Sequence, residues 1–390
     1  MEFKKTFNAL KQNFSITSGN TEPNGQGFSF KSIPFCSSSK PIPCTLSGIF
    51  NNTNGNSFAS EDAKIKENMH FNLPVYLPSS SSIYSKAIVL LHGLNERSWH
   101  KYLPWAHYLG QKTNRPVILF PIAFHMNRGS LSWSKPRLMM PHLINRKVNK
   151  DISMATVANI ALSQRLSDDP LRFFTSGGQS ADDLVQLLEL INDGSIPFLE
   201  KAAQVDFFSY SIGSFLAQIL FLANPKELVS QARLFIFCGG SLFDEMNGTS
   251  RFIMDSHAFG SLRKYYLNDF PFELKNRSPL SSFVKGGIWG ESFISMIREE
   301  NNRFYREHKL QRLREQIRVI SLKKDKVIPS KAIQAAFACI RNGAKDMITE
   351  LDFPFNYSHE TPFPTLPLDK SEEVDRAFNQ VFSKAAEFLR

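Results

Sequence analysis

Short apolar runs, separated by stretches with a helical pattern, are the feature that most restricts the fold of this 390-residue chain. The middle runs are continuously apolar and rich in Val, Ile, Leu and Phe, which is typical of strands covered on both faces. The runs are 71–77, 87–91, 117–121, 205–209, 234–238, 319–322 and 347–353, and the helical patterns are 99–109, 181–191, 214–223, 330–341 and 371–389. This alternation predicts an α/β fold with a doubly wound, mostly parallel sheet.

Two spans, 124–179 and 239–318, interrupt the alternation. The second contains the helix-forming, amphipathic stretch SFISMIREENNRFYREHKLQRLREQ. Insertions in such sheets usually lie at the carboxyl ends of the strands, where ligands bind. We therefore expect an irregular N-terminal extension packed on the core at 1–70, the core at 71–238 and 319–390 with an insertion at about 124–179, and a helical cap at 239–318.

Basic residues exceed acidic ones, giving a net charge of +10. Part of the excess lies in two spans: 128–150 has six basic residues and no acid, and 298–326 has ten basic and five acidic residues. These spans form either solvated basic faces or regions that face an anionic substrate or surface. No zinc-finger spacing, RNA-recognition signature or basic heptad occurs, so nucleic acid is not an expected partner.

The sequence gives no sign of export or of a bound cofactor. The start, MEFKKTFNALKQNF, lacks the apolar segment of a secretory signal, and no uninterrupted apolar run is long enough to span a membrane. The four cysteines have neither the spacing of a metal site nor that of a disulfide framework. We expect a cytoplasmic protein with no membrane span, no metal and no organic cofactor.

One strand runs into a helix without a loop, in the stretch VDFFSYSIGSFL at 205–216. Ser211 lies at the turn, with the small residues Ser209 and Gly213 two positions away on either side. A nucleophile on such a turn has strained dihedral angles, which only small neighbours tolerate. The N-terminus of the following helix also places partial positive charge near Ser211. The pattern predicts a nucleophile, and a simple helix cap is the alternative.

This stretch resembles the nucleophile elbow of the α/β-hydrolase superfamily, whose common pattern is Gly-x-Ser-x-Gly. The match is one residue short, because Ser209 takes the place of the first glycine. A serine side chain is small enough for that position. The resemblance implies the α/β-hydrolase fold, with the core strands and motifs from about residue 71 to the C-terminus.

The loop after strand 87–91 carries the second resemblance. It begins His92-Gly93-Leu94-Asn95, similar to the His-Gly loop after the third strand of that superfamily. The resemblance implies an oxyanion hole formed by the backbone N–H groups of Leu94 and Ile212. His92 and Gly93 would support the loop structurally, and we assign His92 no proton transfer.

A carboxylate follows strand 319–322 in the segment VISLKKDKVIP, which ends at residue 329. Asp325 in this segment is similar to the acid that follows the penultimate strand in the superfamily. A solvated aspartate is the alternative, because three lysines surround it. Asp244, beyond strand 234–238, is an alternative acid, since some members place the acid there.

His359 is the only histidine C-terminal to Asp325, and 34 residues separate the two. It follows the apolar strand 347–353 directly, where the superfamily keeps its histidine loop. The order Ser, acid, His is that of this fold. The resemblance then implies that His359 takes the proton of Ser211 and that Asp325 orients and stabilises the imidazole.

The resemblance implies a serine hydrolase acting on small-molecule carboxylic esters or related acyl compounds, anionic ones if the basic spans face the site. The run HGLNERSWHKYLPWAHYLGQKTNRPVILFPIAFHMNRG also resembles a narrower group of bacterial α/β-hydrolases with no assigned function. Acyl transfer or peptide cleavage by the same triad, a non-catalytic binding protein on a hydrolase scaffold, and a basic surface-binding protein remain as alternatives. Four residues of the oxyanion loop could either contact a ligand or serve only in helix capping and core packing. They are Asn95, Glu96, Arg97 and Trp99.

Overall fold

The computed structural model of the chain describes residues 1–16, 28–39, 62, 64–79, 81–148, 152–276, 278–340, 347–365 and 371–390. The strands are β1 Phe28–Cys36, β2 His70–Pro78, β3 Tyr84–Leu91, β4 Val117–Phe120, β5 Leu199–Tyr210, β6 Leu234–Phe237, β7 Ile317–Leu322 and β8 Ile348–Leu351. The first helices are α1 Phe3–Asn13, α2 Leu103–Thr113, α3 Pro136–Val148, α4 Ile160–Asp168, α5 Arg172–Asp193 and α6 Ile212–Ala223. They are followed by α7 Ser256–Lys264, α8 Phe270–Lys275, α9 Pro279–Gly286, α10 Gly290–Ser295, α11 Arg303–Leu313, α12 Ser330–Ala336 and α13 Ser371–Leu389.

All eight strands form one sheet in the order β1-β2-β4-β3-β5-β6-β7-β8. The pairs from β4 through β8 are parallel, whereas β2 is antiparallel to both β1 and β4. A mostly parallel sheet with helices on both faces, and a sharp turn from β5 into α6, is the α/β-hydrolase fold. The predicted fold class is confirmed.

The two faces of the sheet are covered by different helices because alternate residues of each strand point to opposite sides. In β3, Ile88 and Leu90 pack in the same cluster as residues of α1, α2 and α13. Val89 and Leu91 pack with residues of α5, α6 and α12 on the other face. Burial on both faces explains why the central strands are continuously apolar.

The register of the parallel strands brings their carboxyl ends to one edge. Leu91 at the end of β3 pairs with Ser209 of β5, and Phe237 at the end of β6 pairs with Tyr210. The loops that leave these strands therefore lie side by side, which is where ligands bind in open α/β sheets.

For the N-terminal span the sequence predicts an irregular extension with up to two strands, and the apolar run 27–35 marks one of them. Residues 3–13 form α1, and β1 pairs with β2 over nine residues, from Phe28↔Pro78 to Cys36↔His70. The assignment of the whole span as an extension packed on the core stays a prediction. Most of the remaining N-terminal span, 17–27 and 40–61, lies outside the described residues.

The span 239–318 contains α7 to α11, and a π-helical turn at Tyr265–Asp269 joins α7 to α8. The earlier insertion, 124–179, contains α3, α4 and the start of α5. The division into a core and a cap stays a prediction. No helix in the described part of the chain combines the length and the apolar character that crossing a bilayer requires.

Candidate active site

Ser211 lies in the sharp turn between β5 and α6, with φ 56° and ψ −124°. A Cβ on Gly213 would lie 2.7 Å from the carbonyl oxygen of His92, so only glycine fits there. Ser209 is fully buried, and its hydroxyl lies 3.0 Å from the Ser214 hydroxyl and 3.3 Å from the Phe235 carbonyl oxygen. The serine that replaces the usual glycine therefore fits its site without an unsatisfied polar group.

Three loops bring Ser211, Asp325 and His359 together. Ser211 Oγ lies 2.7 Å from His359 Nε2, and His359 Nδ1 lies 2.7 Å from Asp325 Oδ2. The other oxygen, Asp325 Oδ1, accepts hydrogen bonds from the N–H groups of Val327 and Ile328, both at 2.9 Å. With the acid accepting from Nδ1–H, Nε2 is left as the acceptor for the serine hydroxyl. The arrangement is a continuous path for a proton between Ser211 and His359.

Asp244 is not a partner of His359. It follows β6, and its carboxylate lies 3.9 Å from Arg298 Nε, while its backbone carbonyl accepts from Arg263 at 2.5 Å. Burial raises the pKa of its carboxyl group. Of the two predicted acids, only Asp325 contacts the imidazole.

The contacts of His92 indicate a structural role. It is fully buried, its Nδ1–H donates to the Gly93 carbonyl at 2.8 Å, and its Nε2 accepts from the Ile122 N–H at 2.9 Å. Burial lowers the pKa of His92 to about 3, so the ring is neutral near pH 7. The ring thus holds the loop after β3 against the loop after β4.

Three backbone N–H groups near Ser211, those of Gly93, Leu94 and Ile212, differ in their hydrogen bonding. The N–H of Gly93 is occupied by the Tyr102 hydroxyl at 2.9 Å. Within the described part of the chain, the N–H groups of Leu94 and Ile212 have no hydrogen-bond partner. Both residues line the cavity that contains Ser211.

Tyr210 and Lys101 support the histidine loop, and the sequence does not reveal either role. The Tyr210 hydroxyl donates to the His359 carbonyl, and its ring stacks on the imidazole with centroids 5.4 Å apart. Burial raises the pKa of Tyr210, which keeps the hydroxyl protonated. Lys101 donates to the Glu360 carbonyl at 3.2 Å and to Glu96. These partners are 149 and 259 residues apart, so no local signal identifies them.

The other polar residues of the oxyanion loop have structural partners. Asn95 Nδ2 donates to the carbonyls of Ala158, at 2.9 Å, and Phe252, at 2.6 Å. Trp99 Nε1 donates to Asn127 at 3.0 Å. Asn95 therefore joins this loop to both spans that interrupt the strand-helix alternation.

Two of the clustered basic residues have buried counterions. Arg128 lies 2.7 Å from Asp183, and burial lowers the pKa of Arg128 to about 10. Arg146 makes a two-pronged contact with Asp255, at 2.5 and 2.9 Å. Both guanidinium groups therefore stabilise the fold through ion pairs. The remaining positive charge in the described part of the span 128–150 lies on exposed lysine and arginine side chains.

Comparison with known proteins gives a family and several solved structures. The model of a family described as "Family of unknown function (DUF6051)" matches residues 1–390. No curated protein matches the sequence. A bacterial heroin esterase is 11% identical with a TM-score of 0.48, covering 100% of this chain and 90% of its own. Carboxyl esterase 2 from the mycorrhizal fungus Tuber melanosporum is 9% identical with a TM-score of 0.47, covering 99% and 97%. At these identities and TM-scores, the activities of those proteins do not transfer to this chain.

Proposed function

The chain belongs to that family of unknown function, and we propose that it is a serine hydrolase acting on carboxylic esters or related acyl compounds. One observation carries the proposal: the hydrogen-bonded series from Ser211 through His359 to Asp325, with both steps at 2.7 Å, at the carboxyl edge of the sheet. A strained serine at a strand-to-helix turn gives it further support.

The chemistry follows from the positions of the three side chains. His359 Nε2 takes the hydroxyl proton of Ser211 as Oγ attacks the acyl carbon. The N–H groups of Leu94 and Ile212 stabilise the negative charge on the carbonyl oxygen, each by about 3 kcal/mol. His359 then gives its proton to the leaving oxygen as the bond to the acyl carbon breaks. His359 then takes a proton from water as the water attacks the acyl carbon, and it gives this proton to Ser211 Oγ as the bond between Oγ and the acyl carbon breaks and the acid leaves.

Labelling with a fluorophosphonate probe tests the proposal. The native protein should become labelled, and Ser211→Ala should not, because the phosphorus reagent reacts with the activated serine oxygen. Ser214→Ala provides the matched control, since Ser214 is a buried serine three residues after Ser211, in the first turn of α6. It should be labelled like the native protein.

Two other results would change the conclusion. Folded native protein that neither reacts with the probe nor hydrolyses p-nitrophenyl acetate would indicate a binding protein on a hydrolase scaffold. Labelling together with preferential transfer of the acetyl group to an added alcohol or amine, rather than to water, would indicate an acyltransferase.

A further inference from the structure

The cavity beside Ser211 is apolar. Its wall contains Phe173, Phe243, Met254, Phe259, Val327 and Ile328, besides Ser211 itself. The loops after β6 and β7 and helix α7 supply most of these side chains.

A second apolar cavity lies next to the first along α6. The two share Leu94, Phe173 and Ile212, and the inner one extends past Phe215 and reaches Phe293 of α10. We call this second space the inner cavity.

Two arginines border the inner cavity and share one carboxylate. Arg165 and Arg172 both contact Asp62, at 2.9 and 3.0 Å. His125 is uncharged because burial lowers its pKa well below the usual value. Most of the other side chains that line the inner cavity are apolar, so it suits an apolar group.

A further opening near the site, which we call the polar cleft, has a mixed lining. Its charged and polar side chains are Asn95, Glu96, Arg97, Lys101, Glu360 and Thr361, and they stand beside apolar ones such as Leu94, Trp133, Phe252 and Ile253. Two cations and two carboxylates balance one another, and Lys101 is directly paired with Glu96. Arg97 also stacks over Trp133 at 5.0 Å. The cleft therefore suits a polar group without net charge.

The position of His359 decides which side takes which part of an ester. The leaving oxygen must lie next to His359 Nε2, because that nitrogen returns the proton. Glu360 and Thr361 follow His359 directly and line the polar cleft. Ile212 and Phe215, which follow Ser211 on α6, line the inner cavity.

Resting on the proposed function, we infer that the substrates are esters of an apolar acyl chain with a polar, uncharged alcohol. The acyl chain passes from Ser211 between Leu94 and Phe173 into the inner cavity. The alcohol occupies the polar cleft and leaves through it.

Acyl-chain length tests the first half of the inference. The native enzyme should hydrolyse p-nitrophenyl octanoate with a kcat/KM at least about tenfold above that for p-nitrophenyl acetate, because more apolar surface is buried. Ser176→Phe, which fills the inner cavity from α5, should lower kcat/KM for octanoate about tenfold and leave acetate unchanged. Unchanged acetate hydrolysis also shows that the variant is folded.

The matched control is Ser134→Phe in the polar cleft. It should leave the ratio of octanoate to acetate unchanged and should lower hydrolysis of 1-octanoylglycerol relative to p-nitrophenyl octanoate. The native enzyme should also prefer 1-octanoylglycerol to ethyl octanoate and to octanoylcholine.

The experiments distinguish a wrong assignment of the acyl and alcohol sites from a wrong assignment of the hydrolase activity. Labelling of Ser211 with equal rates on acetate and octanoate, or no effect of Ser176→Phe, would overturn the acyl assignment and keep the hydrolase. A preference for ethyl octanoate or octanoylcholine would overturn the alcohol assignment. Absence of labelling would overturn the hydrolase itself.

Helix α3 has an exposed apolar face, which supports a second inference independent of the first. Its inner side buries Met139, whereas Met140, Ile144 and Val148 project outward, the last two 58% and 71% exposed. These outward positions recur at four-residue spacing, so they lie on one face. Leu131, just before the helix, is 70% exposed. A large exposed apolar face of this kind marks an interaction surface.

The charge of this face favours a lipid surface over a second copy of the chain. Lys135, Arg137 and Lys147 are exposed, and no acid occurs between residues 128 and 148. A symmetric contact between two such faces would bring like charges together. Basic residues beside apolar ones are typical of helices that bind the surface of an anionic membrane.

We propose that α3 docks the enzyme on anionic lipid. The residues just before and at the start of α3, Trp133, Ser134 and Pro136, line the polar cleft, so docking places that cleft at the lipid surface.

Co-sedimentation with vesicles tests the docking. The native protein should sediment with phosphatidylcholine vesicles that contain phosphatidylglycerol, and added salt should release it. Ile144→Asp with Val148→Asp should lower vesicle binding at least about tenfold and leave hydrolysis of p-nitrophenyl acetate unchanged. Phe304→Asp, at an 85% exposed apolar position of α11, should bind vesicles like the native protein.

Equal binding by the α3 variant, or no binding by the native protein, would overturn the proposal. Dimerisation of the native protein that the α3 variant loses, without vesicle binding, would assign the face to a second copy instead.

Discussion

Asp325 and Asp244 both follow a strand of the parallel sheet, but only Asp325 reaches His359. Asp325→Asn should lower kcat for ester hydrolysis by about 10,000-fold, because the amide no longer holds the imidazole in the tautomer that accepts the serine proton. Asp244→Asn should change kcat less than about threefold, since its carboxylate is 3.9 Å from Arg298 and contacts no part of the histidine.

Steady-state kinetics with p-nitrophenyl acetate would measure both variants. A large loss of kcat in Asp244→Asn with little loss in Asp325→Asn would show that the catalytic acid follows β6 and not β7. A similar small loss in both would remove the acid from the mechanism.

Ser209 departs from the usual glycine of the elbow, and the structure gives a physical reason why this departure is tolerated. Its hydroxyl has two acceptors within 3.3 Å. Ser209→Gly should keep kcat/KM within about threefold and should lower the free energy of unfolding by about 1 kcal/mol, through the lost hydrogen bond and the added backbone entropy. Urea denaturation and ester kinetics measure the two effects. A large gain in activity would mean that serine at 209 impairs the site.

The sequence predicts which residues meet at the site better than it predicts what supports them. Ser211, Asp325 and His359 each follow a recognisable strand, and the order of the strands brings them to one edge. Tyr210 and Lys101 bind backbone carbonyls of the histidine loop. A carbonyl has no sequence signature, so these contacts become visible only in three dimensions.

At the scale of elements, a buried ion pair fastens α5 to the loop after β4. Arg128 and Asp183 are both fully buried, and Arg128 also donates to the Asn68 and Pro121 carbonyls. Asp183→Asn should lower the free energy of unfolding by about 3 to 5 kcal/mol, because it leaves a buried guanidinium without its counterion.

Glu189→Gln, on the same helix, is the control. Its partner Lys226 is 68% exposed, so the loss should stay below about 1 kcal/mol. Urea denaturation measures both variants, and equal losses would contradict a special role of the buried pair.

The boundaries of strands and helices show where the local sequence pattern is enough to predict an element. The apolar run 205–209 marks the buried part of a strand that extends over Leu199–Tyr210, because its first half is partly exposed and less apolar. The pattern at 371–389 coincides with α13. The apolar run 27–35 indicates strand β1, whereas helix α1 was not predicted, since its partners α2 and α13 lie elsewhere in the chain.

Across the whole molecule, buried neutral histidines make stability depend on pH. Burial lowers the pKa of His92 to about 3 and that of His107 to about 4, and it lowers the pKa of His125 well below the usual value. The unfolded chain binds protons near pH 6.5 and the native protein does not, so unfolding takes up protons as the pH falls. The free energy of unfolding should therefore decrease from pH 6.5 towards pH 4, by up to about 1.4 kcal/mol per pH unit for each histidine.

Urea denaturation between pH 7.5 and pH 4.5 measures this dependence. His107→Gln should reduce the slope by about 1.4 kcal/mol per pH unit, whatever its effect on stability at pH 7.5. An unchanged slope in this variant would contradict a neutral buried His107.

Helix α1 packs against α13, and the Phe3 N–H donates to Asp375 across 372 residues. The Phe3 ring also contacts Phe378, with centroids 5.0 Å apart. Helix α1 also packs with α2 in the same apolar cluster, so its docking is complete only when residues 372 positions further along the chain have folded. Until then the apolar side of α1 that faces α13 stays exposed, the kind of surface that makes folding intermediates prone to aggregate.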